Sequence, residues 1–529
     1  MGASGPTPHP ACGHLLPSLR EGRKLGGQPH HPPHAEAPPF LPSCLPDRMR
    51  ILLASSEVHP FSKTGGLADM VGALGKALAH AGHEVVIVTP LYRGIRERFT
   101  ELHPTTLRVD VPLGDTNVGA GIAELRLSKG LSVYFLDQRE YFHRLGLYGE
   151  NNADYPDNPE RFIFFSKAVA QLARLLAFGP KDIVHVHDWQ AGLVPALLRW
   201  EGHRTGWIPP RSVLTIHNLA YQGRFAKSAF ALTGLPAGYY TMDGVEFFGD
   251  VNCLKAAIVY ADMLTTVSPR YAREICTEAY GCGLDDRLRG RQERLVGILN
   301  GVDYEEWNTV RNIHLRHAYN FRKLAGKAEN KHDLQRELGL PMRAGVPLFA
   351  TVTRLADQKG MDILLAALEE MLAKEMQFVI LGSGDPALQR GYQMLARRYP
   401  KQVVARIGYD HALSHRIEAG CDFFVMPSRF EPCGLNQMYS LRYGAIPIVR
   451  RTGGLDDSVV DLTEDDEKAD GIKFTEFTSR ALTGAIRKAL VLYGTPELLA
   501  QMRRNAMTAD FSWSRTTEEY AAVYKRALA

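Results

Sequence analysis

The chain has 529 residues in ordinary globular proportions, 45% hydrophobic and 23% charged, with a formal net charge of only +4. Its length exceeds one compact core and fits two large domains, while scattered Lys and Arg without a long basic run exclude a nucleic-acid surface, and no stretch reaches the roughly 18 uncharged apolar residues of a membrane span. Seven irregularly placed cysteines with no Cys-x-x-Cys argue against a disulfide framework or a cysteine zinc site and place the chain in the reducing cytoplasm.

Residues 1–48 are rich in Pro, His and Gly with no sustained apolar period, and read as a disordered extension. Met49 is the expected biological start, because Met49-Arg50-Ile51 opens the first strand directly. Ile51-Leu52-Leu53-Ala54 predicts a buried strand, and Leu67 to Ala81 has the apolar spacing of a helix. Between them lies Lys63-Thr64-Gly65-Gly66-Leu67-Ala68-Asp69. A cation and two bare glycines at a strand-to-helix turn suit an anion such as phosphate, although the P-loop and dinucleotide spacings are missing. A tight turn with a solvated lysine is the plain alternative.

Val85–Val88, Ser132–Phe135, Asp182–Val186 and Val213–Ile216 continue a series of short apolar runs alternating with helical stretches, the grammar of a parallel sheet covered on both faces. Ligands of such sheets sit beyond the strands' carboxyl ends, which draws attention to His187-Asp188-Trp189 and His217-Asn218. His185 and His187 share a strand face like half a metal site. No third ligand at sensible spacing follows, no acidic Asp-x-Asp motif ends a strand, and no metal is expected.

The pattern restarts after Asn300-Gly301-Val302-Asp303, with strands at Leu348–Val352, Phe378–Leu381, Val403–Ile407, Phe423–Met426 and Ile446–Val449. The expected fold is therefore α/β, two doubly wound sheets facing a central cleft. The domains fall at residues 49–300 and 301–510, with 511–529 as a last helix. Arg354 and Lys359 follow the first strand of the second half, in a loop that can set a guanidinium fork and a point charge on one diphosphate. Glu431 ends the Phe423–Met426 strand, Gly453-Gly454 repeats the glycine pair, and Leu381-Gly382-Ser383-Gly384-Asp385 reads as a turn near a nucleobase.

Lys63-Thr-Gly-Gly-Leu-Ala-Asp69, His185-Val-His-Asp-Trp-Gln-Ala-Gly192, Thr215-Ile-His-Asn218, Asn300-Gly-Val-Asp303, Arg354 with Lys359, and Glu431-Pro-Cys-Gly-Leu-Asn-Gln437 together resemble the bacterial glycogen synthase and plant starch synthase family, from Met49 to the end and in order. The resemblance implies two Rossmann-like domains of GT-B type. It implies transfer of glucose from ADP-glucose to the non-reducing end of an α-1,4-glucan such as glycogen, with retention and without a cofactor, a nucleic acid or a membrane. By similarity Lys63, Gly65 and Gly66 lie against the nucleotide phosphates, and Arg354 and Lys359 stabilise the leaving diphosphate. Glu431 and His187 meet the glucose, and Thr452, Gly453 and Gly454 offer backbone donors. Glu57, Asp69, Asp157 and Asn252 match further polar positions on the sugar and acceptor side, and the helix from Trp513 is implied to cross back to the first domain.

Two positions depart from that family's pattern. His143 and Leu145 stand where relatives commonly have Asp and Pro, and Tyr439 stands where broader relatives carry a second glutamate. The rival readings are a two-domain transferase using UDP-glucose and a catalytically silent glucan-binding homologue.

Overall fold

The structure is a computed structural model that describes residues 48–150 and 153–529. The extension read as disordered lies, up to residue 47, outside the described residues. The first sheet has nine strands: β1 (Arg50–Ala54), β2 (Glu84–Pro90), β3 (His103–Leu113), β4 (Thr116–Ser128), β5 (Leu131–Asp137), β6 (Ile183–His187), β7 (Arg211–Ile216), β8 (Met263–Thr266) and β9 (Leu295–Gly297). Their order is β9-β8-β7-β6-β1-β2-β5-β4-β3. The central strands are parallel, with Ile51 opposite both Val85 and Ile183. Burial on both faces explains their unbroken apolar runs: Ile51, Leu52, Leu53 and Ala54 expose nothing.

The edge differs from the expected parallel sheet. Strands β3 and β4 form an antiparallel hairpin that also pairs antiparallel with β5. The outer half of β3 alternates buried Val109, Val111 and Leu113 with exposed Asp110 and Pro112, which is the pattern of a strand with one wet face.

The second sheet is wholly parallel: β10 (Leu348–Val352), β11 (Gln377–Gly382), β12 (Val403–Ile407), β13 (Phe423–Met426), β14 (Ile446–Arg450) and β15 (Ile472–Phe474), ordered β12-β11-β10-β13-β14-β15. Apolar clusters cover both its faces. The helix Trp513–Leu528 packs on the first sheet. The Tyr524 hydroxyl lies 2.9 Å from His185 Nδ1, and Tyr520 and Tyr524 are fully buried within the first core. Gly301 makes room for it, since a Cβ there would stand 2.6 Å from the Trp513 ring. No helix among the described residues is long and apolar enough to cross a membrane.

In both sheets the strand order reverses at one place. In the first, β2 leaves β1 on one side and β6 joins it on the other; in the second, β11 and β13 flank β10. The crevice at such a switch point, beyond the carboxyl ends, is where this architecture holds ligands. The loops there begin at Ser55 and Asp188 in one sheet, and at Thr353 and Pro427 in the other.

Candidate active site

The loop after β1 is organised from behind by Glu57. Its buried carboxylate accepts the Thr64 and Gly65 N–H groups, the Thr64 hydroxyl at 2.6 Å and the Tyr148 hydroxyl at 2.7 Å. Four donors on one acceptor-only group fix the turn that precedes the helix Gly66–His80. Gly65 is extended, and a Cβ added to it would meet nothing within 4 Å. Neither packing nor backbone conformation therefore demands glycine at this position, and its bare backbone faces open cleft. Lys63 Nζ is paired with Asp69 at 2.7 Å, so its charge turns toward the first turn of the helix it precedes.

At the carboxyl end of β6, His187 is fully buried, with Nδ1 3.1 Å from His217 Nε2 and with Nε2 free of any hydrogen-bond partner. Burial, with His185 and His217 beside it, holds this imidazole well below its ordinary pKa, so it is neutral. Asp188 adopts φ +54°, unusual for a residue with a Cβ, and accepts the His217 N–H at 2.7 Å. Burial pushes its carboxyl up to about 7 despite the backbone donors of His217 and Asn218.

In the second sheet, the loop after β10 carries Arg354, exposed and 3.2 Å from the Gln358 side-chain oxygen, and Lys359. Gly360 ends a short helical turn at φ +65°, and a Cβ there would collide with the Pro427 carbonyl. This close approach seats Lys359 Nζ 2.5 Å from Glu431 Oε2, whose other partner is the Ser428 hydroxyl at 3.0 Å. The lysine and glutamate side chains are 18% and 7% exposed, a nearly dry pair at the second switch point.

The Lys63 and Arg354 loops meet across one cavity of about 410 Å³. Lys63, Gly65, Gly66 and Asp69 line one wall; Arg354, Gly382, Ser383 and Tyr409 line the other. The turn read as lying near a nucleobase is thus on the cavity. Tyr439 forms part of the lining and stacks on Trp307, ring centroids 3.7 Å apart and nearly parallel.

Other expected residues have different work. The Gly453 N–H is donated to the Glu274 carboxylate of the first lobe at 3.1 and 3.2 Å, and the Thr452 hydroxyl lies 3.4 Å from it. The Gly454 N–H goes to the Glu431 and Pro432 carbonyls at 3.1 Å. These are not free donors. The glycine pair exists because Cβ atoms there would strike the Glu431 and Cys433 carbonyls, so it lets the chain close on the segment that carries Glu431. Around it the helices Pro269–Glu274 and Gly453–Ser458 join the lobes: Arg270 pairs with Asp456, its N–H reaches Asp457 at 2.5 Å, and Ser268 donates to the Pro432 carbonyl at 2.6 Å.

Asn252 is fully buried; its amide donates to Gln222 at 2.6 Å and its oxygen caps the helix Cys253–Tyr260 through Lys255 N–H. Asp157 is held bidentately by Arg144 at 2.7 and 2.5 Å, which ties the divergent His143–Leu145 segment to the helix Asn158–Leu175. Neither lines the cavity. Glu274 and Tyr148, which no sequence motif marks, act through partners distant in the chain and leave no local signal.

Residues 50–290 match the family model described as starch synthase catalytic domain, and residues 339–508 match glycosyl transferases group 1. Over 480 residues the chain is 48% identical to a glycogen synthase of an Anaeromyxobacter species, covering 90% of this chain and 99% of that one. It is 49% identical over 481 residues to the glycogen synthase of Myxococcus xanthus, with the same coverage. Among solved structures, the catalytic domain of starch synthase IV from Arabidopsis thaliana, bound to ADP and acarbose, superposes with a TM-score of 0.83 at 33% identity over 91% of this chain and all of that one. The sucrose-phosphate synthase of Thermosynechococcus elongatus shares the fold, with a TM-score of 0.58 at 18% identity over 90% of this chain and 99% of that one. Two sheets whose switch points open on one cleft, and a likeness that runs through both, make this chain a member of the glycogen synthase and starch synthase family, a glycosyltransferase of glycogen or starch synthesis with the GT-B fold.

Proposed function

We propose that the chain transfers glucose from ADP-glucose to the non-reducing end of an α-1,4-glucan with retention of configuration. The observation that carries this reading is the nearly dry Lys359–Glu431 pair at the switch point whose Arg354 loop lines the cavity opposite the Lys63–Gly66 loop, the pair itself lying outside the cavity lining. When the bond between the glucose C1 and the diphosphate oxygen breaks, negative charge grows on the diphosphate. Fixed cations in a poorly hydrated cleft stabilise that charge most. Arg354 and Lys359 take this role, and Lys63 exchanges Asp69 for a phosphate oxygen. The leaving phosphate accepts the proton of the acceptor hydroxyl as the new C1–O bond forms on the same face.

Glu431 orients the sugar and favours positive character at C1. Neutral His187 offers Nε2 to a sugar hydroxyl as a hydrogen-bond partner, not as an acid. Glu57 supports the reaction by holding the Lys63 turn, while Asp157 and Asn252 support the acceptor wall through Arg144 and Gln222. Residues 49–300 serve as the acceptor domain and 301–510 as the nucleotide-sugar domain, braced by 511–529. The described cysteines Cys253, Cys276, Cys282, Cys421 and Cys433 are free thiols, which suits a cytoplasmic enzyme.

The ADP in the Arabidopsis complex favours the adenine nucleotide over UDP. Incubation of purified protein with glycogen and radiolabelled ADP-glucose or UDP-glucose tests the donor: label in polymer from ADP-glucose supports the reading, and label from UDP-glucose alone corrects it.

A further inference from the structure

A cluster of imidazoles stands at the rim of the cleft, apart from the residues assigned to glucose transfer. His411 and His415 lie four apart on the helix His411–Gly420 and so share a face; His314 approaches from the segment that follows Asp303. One ring nitrogen of each lies within 4.8 Å of one from each of the others. The ring centroids are 5.5 Å apart for His314 and His411, 4.9 Å for His314 and His415, and 4.7 Å for His411 and His415.

His415 is the fixed member. It is 1% exposed and stacks on Trp307 at 4.1 Å. Its Nδ1 lies 2.9 Å from the Tyr443 hydroxyl and 3.1 Å from the Asn312 amide nitrogen, whereas its Nε2 is buried with no partner at all. A buried ring nitrogen with nothing to bond is rare in a folded protein and marks a place where something binds. Glu306, with its carboxylate 3.4 Å from His411 Nε2, brings a negative charge to the cluster.

We propose that His314, His411 and His415 form a binding site for a zinc-like divalent transition-metal ion, with Glu306 completing the set directly or by orienting His411. Imidazole nitrogen is the ligand such ions favour, three histidines with an open fourth position are an established zinc set, and a carboxylate behind a ligating histidine is its usual support. Zn–N bonds of about 2.0–2.1 Å require the rings to draw together by roughly an ångström. His314 and His411 are only partly buried and can swing toward the anchored His415. Because His411 and Glu306 also line the cavity, an ion held here is coupled to whatever the cavity binds, each altering the other's affinity by the same factor. The expectation of no metal came from the missing third ligand beside His185 and His187 and from the absence of an Asp-x-Asp motif at a strand end; this cluster comes from segments that only the fold brings together.

The test is calorimetric titration of the full chain, stripped with EDTA and exchanged into metal-free buffer, with zinc chloride alone. One zinc per chain at micromolar affinity or tighter is expected, and His314→Gln and His411→Gln should each weaken it by at least about tenfold, with the double variant losing it. Wild-type melting of both metal-free variants separates loss of a ligand from loss of the fold. Absence of binding by the wild type overturns the proposal. Binding of undiminished strength in both variants also overturns it, by placing the ion elsewhere, as at His30, His31 and His34 of the N-terminal extension.

Discussion

Glu431 and Lys359 meet at 2.5 Å although they leave different strands, β13 and β10, and the contact exists because Gly360 lets its loop press on the Pro427 carbonyl. The pair thus stands at the point where the second sheet reverses its strand order. Lys359→Ala and Glu431→Ala should each lower kcat by about a hundred- to a thousandfold, the usual loss when one preorganised transition-state group is removed. Steady-state kinetics of each variant check this, and near-wild-type turnover would remove the residue from the mechanism.

Glu57 should act on binding more than on chemistry. All four of its hydrogen bonds are accepted, so Glu57→Gln turns an amide NH₂ toward N–H and O–H donors and loosens the Lys63 turn. An increase of about tenfold in KM for the nucleotide sugar, roughly 1.4 kcal/mol, is expected with a smaller change in kcat. Saturation curves at fixed glycogen decide it; a loss confined to kcat contradicts the positioning role.

Gly65 and Gly360 should separate function from stability. Gly65→Ala adds a methyl to an extended residue facing open space, so its stability in urea melts should match wild type within about 0.5 kcal/mol while activity falls through crowding of the ligand's approach. Gly360→Ala forces a left-handed alanine into the Pro427 carbonyl and should destabilise by about 2 kcal/mol or more. Equal stability losses in the two variants would refute this division.

His185 links stability to pH. Burial holds its imidazole down at about 3, against about 6.5 in an unfolded chain. The unfolded chain therefore takes up a proton below about pH 6.5 that the native state refuses. Its contribution is complete above that pH and is lost as the pH falls toward 3. In His185→Gln this contribution is absent, so the stability gap between wild type and variant should close by about 1.4 kcal/mol per pH unit below about pH 6.5. Urea melts from about pH 7 to about pH 5 measure it, and a gap independent of pH would contradict the neutral, buried assignment.

Much of the scaffold was legible because parallel strands buried on both faces leave uninterrupted apolar runs: Ile51–Ala54, Phe378–Leu381 and Phe423–Met426 lie in β1, β11 and β13. The β3–β4 hairpin escaped because its period-two alternation carries polar residues and proline, and β15 because three residues make no pattern. Within the site, Lys63, Arg354 and Glu431 could be found because each follows a readable strand. The Gly453-Gly454 pair makes room for the Glu431 and Cys433 carbonyls, a role invisible in sequence because a glycine that admits a ligand and one that admits a neighbouring carbonyl look alike there. Glu274 and the histidine cluster depend on contacts across the fold and carry no spacing signature.

The most direct test of the whole account is incorporation of radiolabelled glucose into glycogen from ADP-glucose by the purified chain, with Lys359→Ala and Glu431→Ala assayed beside it. Robust incorporation by the wild type, exceeding that from UDP-glucose, and a fall of at least about a hundredfold in both variants are expected. Absence of incorporation from either donor, or variants as active as the wild type, would contradict the account.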